Sequence, residues 1–118
     1  MEFFTARTIK FKAWDVESKL LVRLESIPCD KGQLKKKHHI LLQFTGCLDE
    51  QKQELYEMDV VLKGSEKMVI QWNETHTGWC LTPMESKIVL EPLTSANAAY
   101  LKRLCSYFES VQYKNLSA

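Results

Sequence analysis

The feature that most constrains this chain is an alternation of apolar and polar side chains, with a period of two, that recurs along its length. Residues 9–13, 20–24 and 68–72 each follow this pattern. The alternation is typical of β-strands with one buried face, because successive side chains in a strand point to opposite sides of the sheet. Further short apolar runs, each ended by turn-forming residues, occupy residues 38–44, 59–62, 78–81 and 88–90. The chain is therefore predicted to form a small, mostly antiparallel sheet that closes into a barrel or rolls up.

Two connecting segments have compositions that favour particular structures. Residues 15–18, Asp-Val-Glu-Ser, carry side chains that favour turns, so residues 7–25 are predicted to form a β-hairpin. Residues 49–57 contain neither glycine nor proline and favour a helical turn.

After Pro92 the apolar residues recur at steps of three and four, which is the period of an amphipathic helix. Thr94 or Ser95 can accept a hydrogen bond from an otherwise unpaired N–H group, and so one of the two is predicted to cap the helix. The apolar positions are Ala98, Leu101, Leu104, Cys105 and Phe108. We therefore expect one domain over residues 1–118, of the α+β class, with a β-rich region over residues 7–91 and a C-terminal helix over residues 94–114.

Composition and cysteine spacing limit the classes of protein to which the chain can belong. A hydrophobic fraction of 45% and a net charge of +1 argue against a disordered chain and against a strongly basic nucleic-acid clamp. The four cysteines form no C-x-x-C pair, so we expect free thiols, no metal site and no cofactor, and the alternative is a secreted domain with two disulfides. No apolar run is long enough to span a membrane, and the first residues do not resemble a secretion signal. These features predict a cytoplasmic protein without membrane association.

Several phrases of the sequence occur together in one known family. They are residues 9–15 (IKFKAWD), 40–46 (ILLQFTG), 54–61 (ELYEMDVV) and 69–72 (VIQW). Over residues 7–82 the chain thus resembles the YopX-like proteins, a family common in bacterial phages and prophages. The resemblance implies a predominantly β fold, a tendency to self-assemble and a bacterial host cell. It implies no chemical activity, because no settled activity accompanies these phrases.

The chain departs from the family phrases at two points. The family often has Asn-Gly where this chain has Gln51-Lys52, and it has glycine where this chain has Met58. Glycine adopts positive φ at little cost, whereas other residues do not. The backbone at these points is therefore expected to differ from that of the family.

Cationic residues suggest one binding function. Nine Lys and Arg against five Asp and Glu fall within residues 1–37. The residues that we predict to contact nucleic-acid phosphates are Lys10, Lys12, Lys35, Lys36, Lys37 and His38. The alternative for residues 35–39 is a solvated loop without a ligand. Because few cations are clustered, any nucleic-acid binding is expected to be weak.

Acidic residues offer a catalytic alternative. Glu57 and Asp59 would point to one side of an extended strand, where two carboxylates could hold a metal or act as an acid and a base. The competing interpretation is that Asp59 holds the preceding turn, and that Asp15 does the same in its hairpin. No nucleophile lies nearby in the sequence, so we expect a protein that is not an enzyme and infer no small-molecule ligand.

The predicted C-terminal helix is apolar around about half of its circumference, which exceeds the stripe that one sheet face needs. We therefore predict self-association through residues Tyr100, Leu101, Leu104, Tyr107, Phe108 and Val111. The alternative is that the helix lies in a deep groove of its own domain. The sequence thus predicts a non-enzymatic accessory protein of phage or prophage type that acts as a homo-oligomer, and alternatively a weak nucleic-acid-binding module that uses the basic strand and loop.

Overall fold

Short strands make up most of the structure, which is a computed structural model that describes residues 3–85 and 90–111. Residues 107–111 are also helical. The elements in chain order are β1 (Phe11–Asp15), β2 (Leu20–Arg23), β3 (Cys29–Asp30), β4 (Gln33–Leu34), β5 (His39–Leu48), β6 (Glu54–Tyr56), β7 (Asp59–Lys63), β8 (Glu66–Asn73), β9 (Gly78–Pro83), β10 (Glu91–Pro92), α1 (Ser95–Ala98) and β11 (Lys102–Ser106).

The strands form two curled antiparallel sheets. The first sheet has the order β2-β1-β5-β6, the second has the order β10-β9-β8-β7-β11, and β3 and β4 form a separate hairpin. Together they make a half-barrel with a few short helices, one of them C-terminal. The predicted α+β fold, a rolled and mostly antiparallel sheet with a C-terminal helix, is therefore confirmed.

The hydrophobic core joins the two sheets to α1. Burying these apolar side chains away from water supplies the main driving force for folding. The members of the core cluster are Cys47, Leu55, Val61, Met68, Ile70, Leu81, Ala98 and Leu101. Because they come from β5 to β9 and from the segment around α1, the core depends on residues that are far apart in the sequence.

The first hairpin forms as the sequence predicts. β1 pairs with β2 in antiparallel register, with Asp15 opposite Leu20. The Asp15 Oδ1 atom accepts hydrogen bonds from the backbone N–H groups of Glu17 at 2.9 Å and Ser18 at 3.2 Å. These bonds stabilise the turn and lower the pKa of the Asp15 carboxyl below its usual value. Asp15 thus holds the turn of its hairpin, and the non-catalytic role predicted for it from the sequence is confirmed.

The connection between β5 and β6 is not a helical turn, and that prediction was wrong. The Asp49 Oδ1 atom accepts hydrogen bonds from the backbone N–H groups of Gln51 at 2.9 Å and Gln53 at 2.8 Å. A carboxylate that binds nearby N–H groups competes with the helical backbone for those donors. The chain then continues from this turn into β6, in which Tyr56 pairs with Phe44 of β5.

The single long helix predicted over residues 94–114 does not form. Thr94 does cap a helix, since its Oγ1 atom accepts from the Asn97 N–H group at 3.1 Å, but α1 ends at Ala98. Residues 102–106 instead form β11, which pairs with β7 at the edge of the second sheet. Pairing with this edge satisfies backbone groups of β7, and this tertiary gain outweighs local helix preference.

The helical segment 107–111 begins after Ser106. Its start is stabilised by Glu109, whose Oε1 atom accepts a hydrogen bond from the Ser106 backbone N–H group at 3.0 Å. No helix among residues 3–85 and 90–111 is long and apolar enough to cross a membrane. Residues 112–114 of the predicted helix, and residues 88–89 of the predicted strand 88–90, lie outside the described residues.

Two residues that replace family glycines adopt the backbone conformation that glycine favours. Lys52 has φ of 62° and Met58 has φ of 66°, both in the left-handed region. Each lies in a tight turn, before β6 and before β7 respectively. At these points the chain therefore makes left-handed turns with side chains that are strained there.

Replacing Lys52 with glycine should stabilise the protein. The Lys52→Gly variant is expected to raise the free energy of unfolding by about 0.5–1 kcal/mol, because glycine has no Cβ atom to strain the left-handed turn. The neighbouring Gln51→Gly variant is the control, since Gln51 is not among the left-handed residues. It should lower the free energy of unfolding. Urea denaturation of both variants measures the difference, and a loss of stability in Lys52→Gly would contradict the assignment.

Candidate functional site

A cleft lined by four cationic side chains lies between the first sheet and β11. Its volume is about 510 Å³, and its cations are Lys10, Lys12, Arg23 and Arg103. Lys10 and Lys12 share one face of the first sheet, because they are two residues apart along the β1 segment. The cleft therefore concentrates positive charge in a chain whose net charge is only +1.

Lys12 and Arg23 lie directly opposite each other on β1 and β2. Like charges in this arrangement repel, since the Cβ atoms of directly opposed residues are about 5 Å apart. No carboxylate oxygen in the described part of the chain lies within 4.0 Å of either cation. Burial, followed by the charge of Arg103, lowers the pKa of the Lys12 ammonium below its usual value. An anion in the cleft would relieve this repulsion.

Aromatic rings support the two lysines. The Lys12 Nζ atom lies 4.4 Å from the centroid of the Tyr56 ring, and the Lys10 Nζ atom lies 5.2 Å from that of Phe44. A cation above an aromatic face is attracted by the negative potential of that face. These contacts hold both ammonium groups at the wall of the cleft.

A carboxylate fixes the other side of the cleft. Glu54 forms an ion pair with Lys10 and accepts a hydrogen bond from the Tyr56 hydroxyl at 3.2 Å. Lys10 lowers the pKa of the Glu54 carboxyl, whereas burial and Glu54 raise the pKa of Tyr56 to about 12. At neutral pH Glu54 is therefore ionised and Tyr56 keeps its proton. Both the Lys10–Glu54 ion pair and the hydrogen bond from Tyr56 to Glu54 are present at that pH.

Arg103 is anchored at the back of the cleft by a buried carboxylate. Asp59 is only 1% exposed. Its Oδ2 atom accepts from Arg103 Nε at 2.9 Å, and its Oδ1 atom accepts from Arg103 Nη2 at 3.3 Å. Oδ2 also accepts from the Tyr56 backbone N–H group at 2.9 Å, so Asp59 holds its turn as expected. Burial raises the pKa of the Asp59 carboxyl, and Arg103 opposes that rise.

Arg103 also connects two turns, a role that the sequence analysis missed. Its backbone N–H group donates to Asp49 Oδ2 at 2.9 Å, while its side chain binds Asp59. The predicted helix over residues 94–114 would have placed Arg103 on a helical surface. The spacing of Ser106 and Glu109, which is typical of a helix start, is the signal that could have revealed the end of β11.

The predicted nucleic-acid contacts divide between two surfaces. Lys10 and Lys12 line the cationic cleft, whereas residues 35–37 line a separate groove of about 880 Å³ that shares no residue with it. Leu41, in that groove, and Leu42, opposite Lys12, point to opposite faces of the first sheet. His38 is exposed, and its Nδ1 atom lies 3.5 Å from Glu17 Oε1.

Glu57 and Asp59 do not form a carboxylate pair. Asp59 binds Arg103, whereas Glu57 Oε1 lies 3.5 Å from the backbone nitrogen of Gln43. The two residues are separated by the left-handed Met58, so the extended backbone assumed in the sequence analysis is absent here. Within residues 3–85 and 90–111, no three His, Cys, Asp or Glu side chains are grouped to hold a metal ion.

The residues predicted to mediate self-association lie on different elements. Leu101 is buried in the core, and the Phe108 ring stacks on Trp14 with centroids 5.8 Å apart. Tyr100 is 81% exposed beside α1, and Leu104 is partly exposed on β11. Tyr107 and Val111 border a groove beside β8 and β9. These residues therefore do not form one stripe on a single helix, because β11 interrupts the helix on which that stripe depended. Self-association through them stays a prediction. All four cysteines are free thiols.

Comparisons with known proteins agree with this fold. The structure is similar to the crystal structure of protein EF1440 from Enterococcus faecalis, with a TM-score of 0.62 and 14% sequence identity. The similarity covers 92% of this chain and 99% of that one. The family model described as YopX protein matches residues 3–101, so the chain belongs to the YopX family. No curated protein matches the sequence.

Breaking the Asp59–Arg103 pair should destabilise the fold strongly. The Asp59→Asn variant is expected to lower the free energy of unfolding by about 3 kcal/mol or more, because Arg103 is left with an uncompensated buried charge. Combining Asp59→Asn with Arg103→Met should cost less than the sum of the two single changes. Urea denaturation of the three variants measures this coupling.

The control for that experiment is the exposed ion pair between Lys63 and Glu91, whose Nζ and Oε2 atoms are 2.6 Å apart. Lys63→Met and Glu91→Gln should each change the free energy of unfolding by less than about 1 kcal/mol. Equal losses at the two pairs would show that Asp59 and Arg103 have no special role in stability.

Proposed function

We propose that this YopX-family protein is a non-enzymatic accessory protein of phage or prophage type that binds nucleic acid through its cationic cleft. The observation that carries the proposal is the pair formed by Lys12 and Arg23, which lie opposite each other in a concave site. Lys12 is half-buried and Arg23 is exposed. Neither has a carboxylate oxygen within 4.0 Å in the described chain. Repulsion of this kind lowers stability, and a phosphate group would convert it into attraction.

The cleft suits phosphate contact better than catalysis. Lysine and arginine bind phosphate oxygens through charge-assisted hydrogen bonds, and arginine can do so with two parallel bonds. The carboxylates nearest the cleft are engaged by the protein itself, Glu54 by Lys10 and Asp59 by Arg103. The family resemblance suggests a phage origin and a bacterial host, and we propose action in the cytoplasm of that host from the cysteine spacing and the first residues of the sequence.

Affinity should be modest and sensitive to salt. Only four cations line the cleft, and Lys10 and Arg103 each have a carboxylate partner. Binding to phosphates gains free energy from counterion release, which declines as salt concentration rises. The separate basic groove at residues 35–37 would add a second and independent contact.

The test is fluorescence anisotropy of a labelled single-stranded oligonucleotide at low and moderate salt. The Lys12→Gln, Arg23→Gln double variant should weaken binding and reduce the slope of log affinity against log salt by at least about 0.7, since each phosphate that is no longer neutralised in a single strand contributes about 0.7. The charge-matched control is Lys67→Gln with Lys102→Gln, two exposed lysines on the second sheet. Its slope should match the parent.

Two results would contradict the proposal. The first is a parent protein that does not bind at low salt, and the second is equal weakening by the cleft variant and its control. A variant with Lys35→Gln and Lys37→Gln tests the basic groove. If that variant abolishes binding and the cleft variant does not, the interface is the loop and the cleft assignment fails.

A second candidate function is self-assembly, and the open edge of β2 favours it. β2 lies at one end of the first sheet and pairs only with β1 among the described strands. Leu20, in this strand, is 60% exposed. An apolar edge strand with unpaired backbone groups is a template for pairing with another chain. We propose that two copies pair through β2 to form a homo-oligomer.

Solution mass at tens of micromolar tests this assembly. The parent should be dimeric or larger, and Leu20→Lys should shift it towards the monomer, because a charge on an edge strand opposes pairing. Leu48→Lys is the control, since Leu48 is also an exposed leucine of the first sheet but lies on β5, where it pairs with Glu54 of β6. A monomeric parent would exclude the assembly, and an oligomer unaffected by Leu20→Lys would place the interface elsewhere.

A further inference from the structure

The number of uncompensated charges in the cationic cleft selects one kind of phosphate. Lys10 is paired with Glu54, and Arg103 is paired with Asp59. Lys12 and Arg23 remain, so two positive charges face the cleft without a carboxylate within 4.0 Å in the described chain. Asp59 and Glu109 both act on Lys12 from more than 4.0 Å away, but Asp59 is bound to Arg103, and the Glu109 Oε1 atom accepts from Ser106. Two adjacent cations are best balanced by one group that carries two negative charges.

The two common phosphate groups of nucleic acids differ in this respect. An internal phosphodiester carries one negative charge, and its neighbours along the strand are several ångströms away. A terminal phosphomonoester carries about 1.5 to 2 negative charges near neutral pH, because its second pKa is about 6. It also offers three acceptor oxygens on one phosphorus atom. A dianion of this size can contact Lys12 and Arg23 at the same time, since their Cβ atoms are about 5 Å apart in a cross-strand pair.

The shape of the cleft agrees with a terminal group. A volume of about 510 Å³ is in the range of pockets that hold one small ligand, and not of a channel for several nucleotides. The bound Asp59 uses two of the five N–H groups of the Arg103 guanidinium, on Nε and Nη2. Arg103 lines the cleft, and Asp59 uses only part of its donor capacity.

We infer that the cleft recognises a phosphomonoester dianion, the group found at the 5′ end of a phosphorylated strand and in nucleoside monophosphates. This inference rests on the proposed function for its ligand class and adds which phosphate is bound. Lys12 and Arg23 hold the dianion, and Arg103 contributes a further donor from the back of the cleft.

The experiment compares three oligonucleotides of one sequence that differ only at the 5′ end. One carries a phosphate, one a hydroxyl group, and one a phosphate methyl ester, which keeps the size of the phosphate but only one of its charges. Anisotropy competition against a labelled strand should show the 5′-phosphate strand binding about tenfold more tightly than both others, because only it balances both cations. Lys12→Gln and Arg23→Gln, tested singly, should each remove most of this preference, while Lys67→Gln should keep it.

The outcomes separate this inference from the proposed function. If the protein binds all three strands with equal affinity, and if Lys12→Gln weakens the binding of all three equally, the terminal-phosphate inference is overturned. Nucleic-acid binding through the cleft would then still stand. Titration of a nucleoside 5′-monophosphate by calorimetry distinguishes the source of the dianion. Binding of the monophosphate alone, with no oligonucleotide bound, would support the phosphomonoester and overturn nucleic-acid binding. Binding of neither would overturn both. Arg23 is exposed on β2, so Arg23→Gln is expected to fold even if a change at Lys12 does not.

Discussion

The buried ion pair between Asp59 and Arg103 is the interaction on which the arrangement of this protein depends. A buried carboxylate is unfavourable unless charge and hydrogen bonds compensate it, and Arg103 with the Tyr56 N–H group does both. Because Arg103 also binds Asp49 through its backbone, one residue links the turn before β6, the turn before β7 and the edge strand β11. The two sheets meet where these contacts lie, and the cationic cleft opens beside them.

The chemistry of the cleft follows from register more than from composition. The whole chain is nearly neutral, yet pairing of β1 with β2 places Lys12 opposite Arg23, and the curl of the sheets brings Arg103 to the same space. A shift of one residue in that register would turn Lys12 to the other face of the sheet. The Asp15 turn, which sets the register, therefore contributes to the cleft without touching it.

The parts of the structure that could be predicted from sequence are those with local signals. Alternation located the strands, the Asp15 turn located the hairpin, and family phrases indicated the β fold. The C-terminal helix failed because spacings at residues 98, 101, 104, 105 and 108 suit a helix, yet pairing with β7 prevails. The bond between Asp59 and Arg103 joins residues 44 positions apart, so no local pattern could show it. Lys10 and Lys12 were predicted as candidates because they alternate within one strand. Arg23 and Arg103 were not, because only the pairing of strands and the packing of the sheets bring them to the cleft.

The long separation between Asp59 and its partner has a consequence for synthesis of the protein. β7 leaves the ribosome well before residues 102–106, so its outer edge has no strand to pair with until the chain has been extended through β11. Over that interval the unpaired edge is open to another nascent chain, and Asp59 has no counter-ion. Completion of this domain therefore waits for synthesis of residues 102–106, and a product that stops before residue 103 lacks the counter-ion of Asp59.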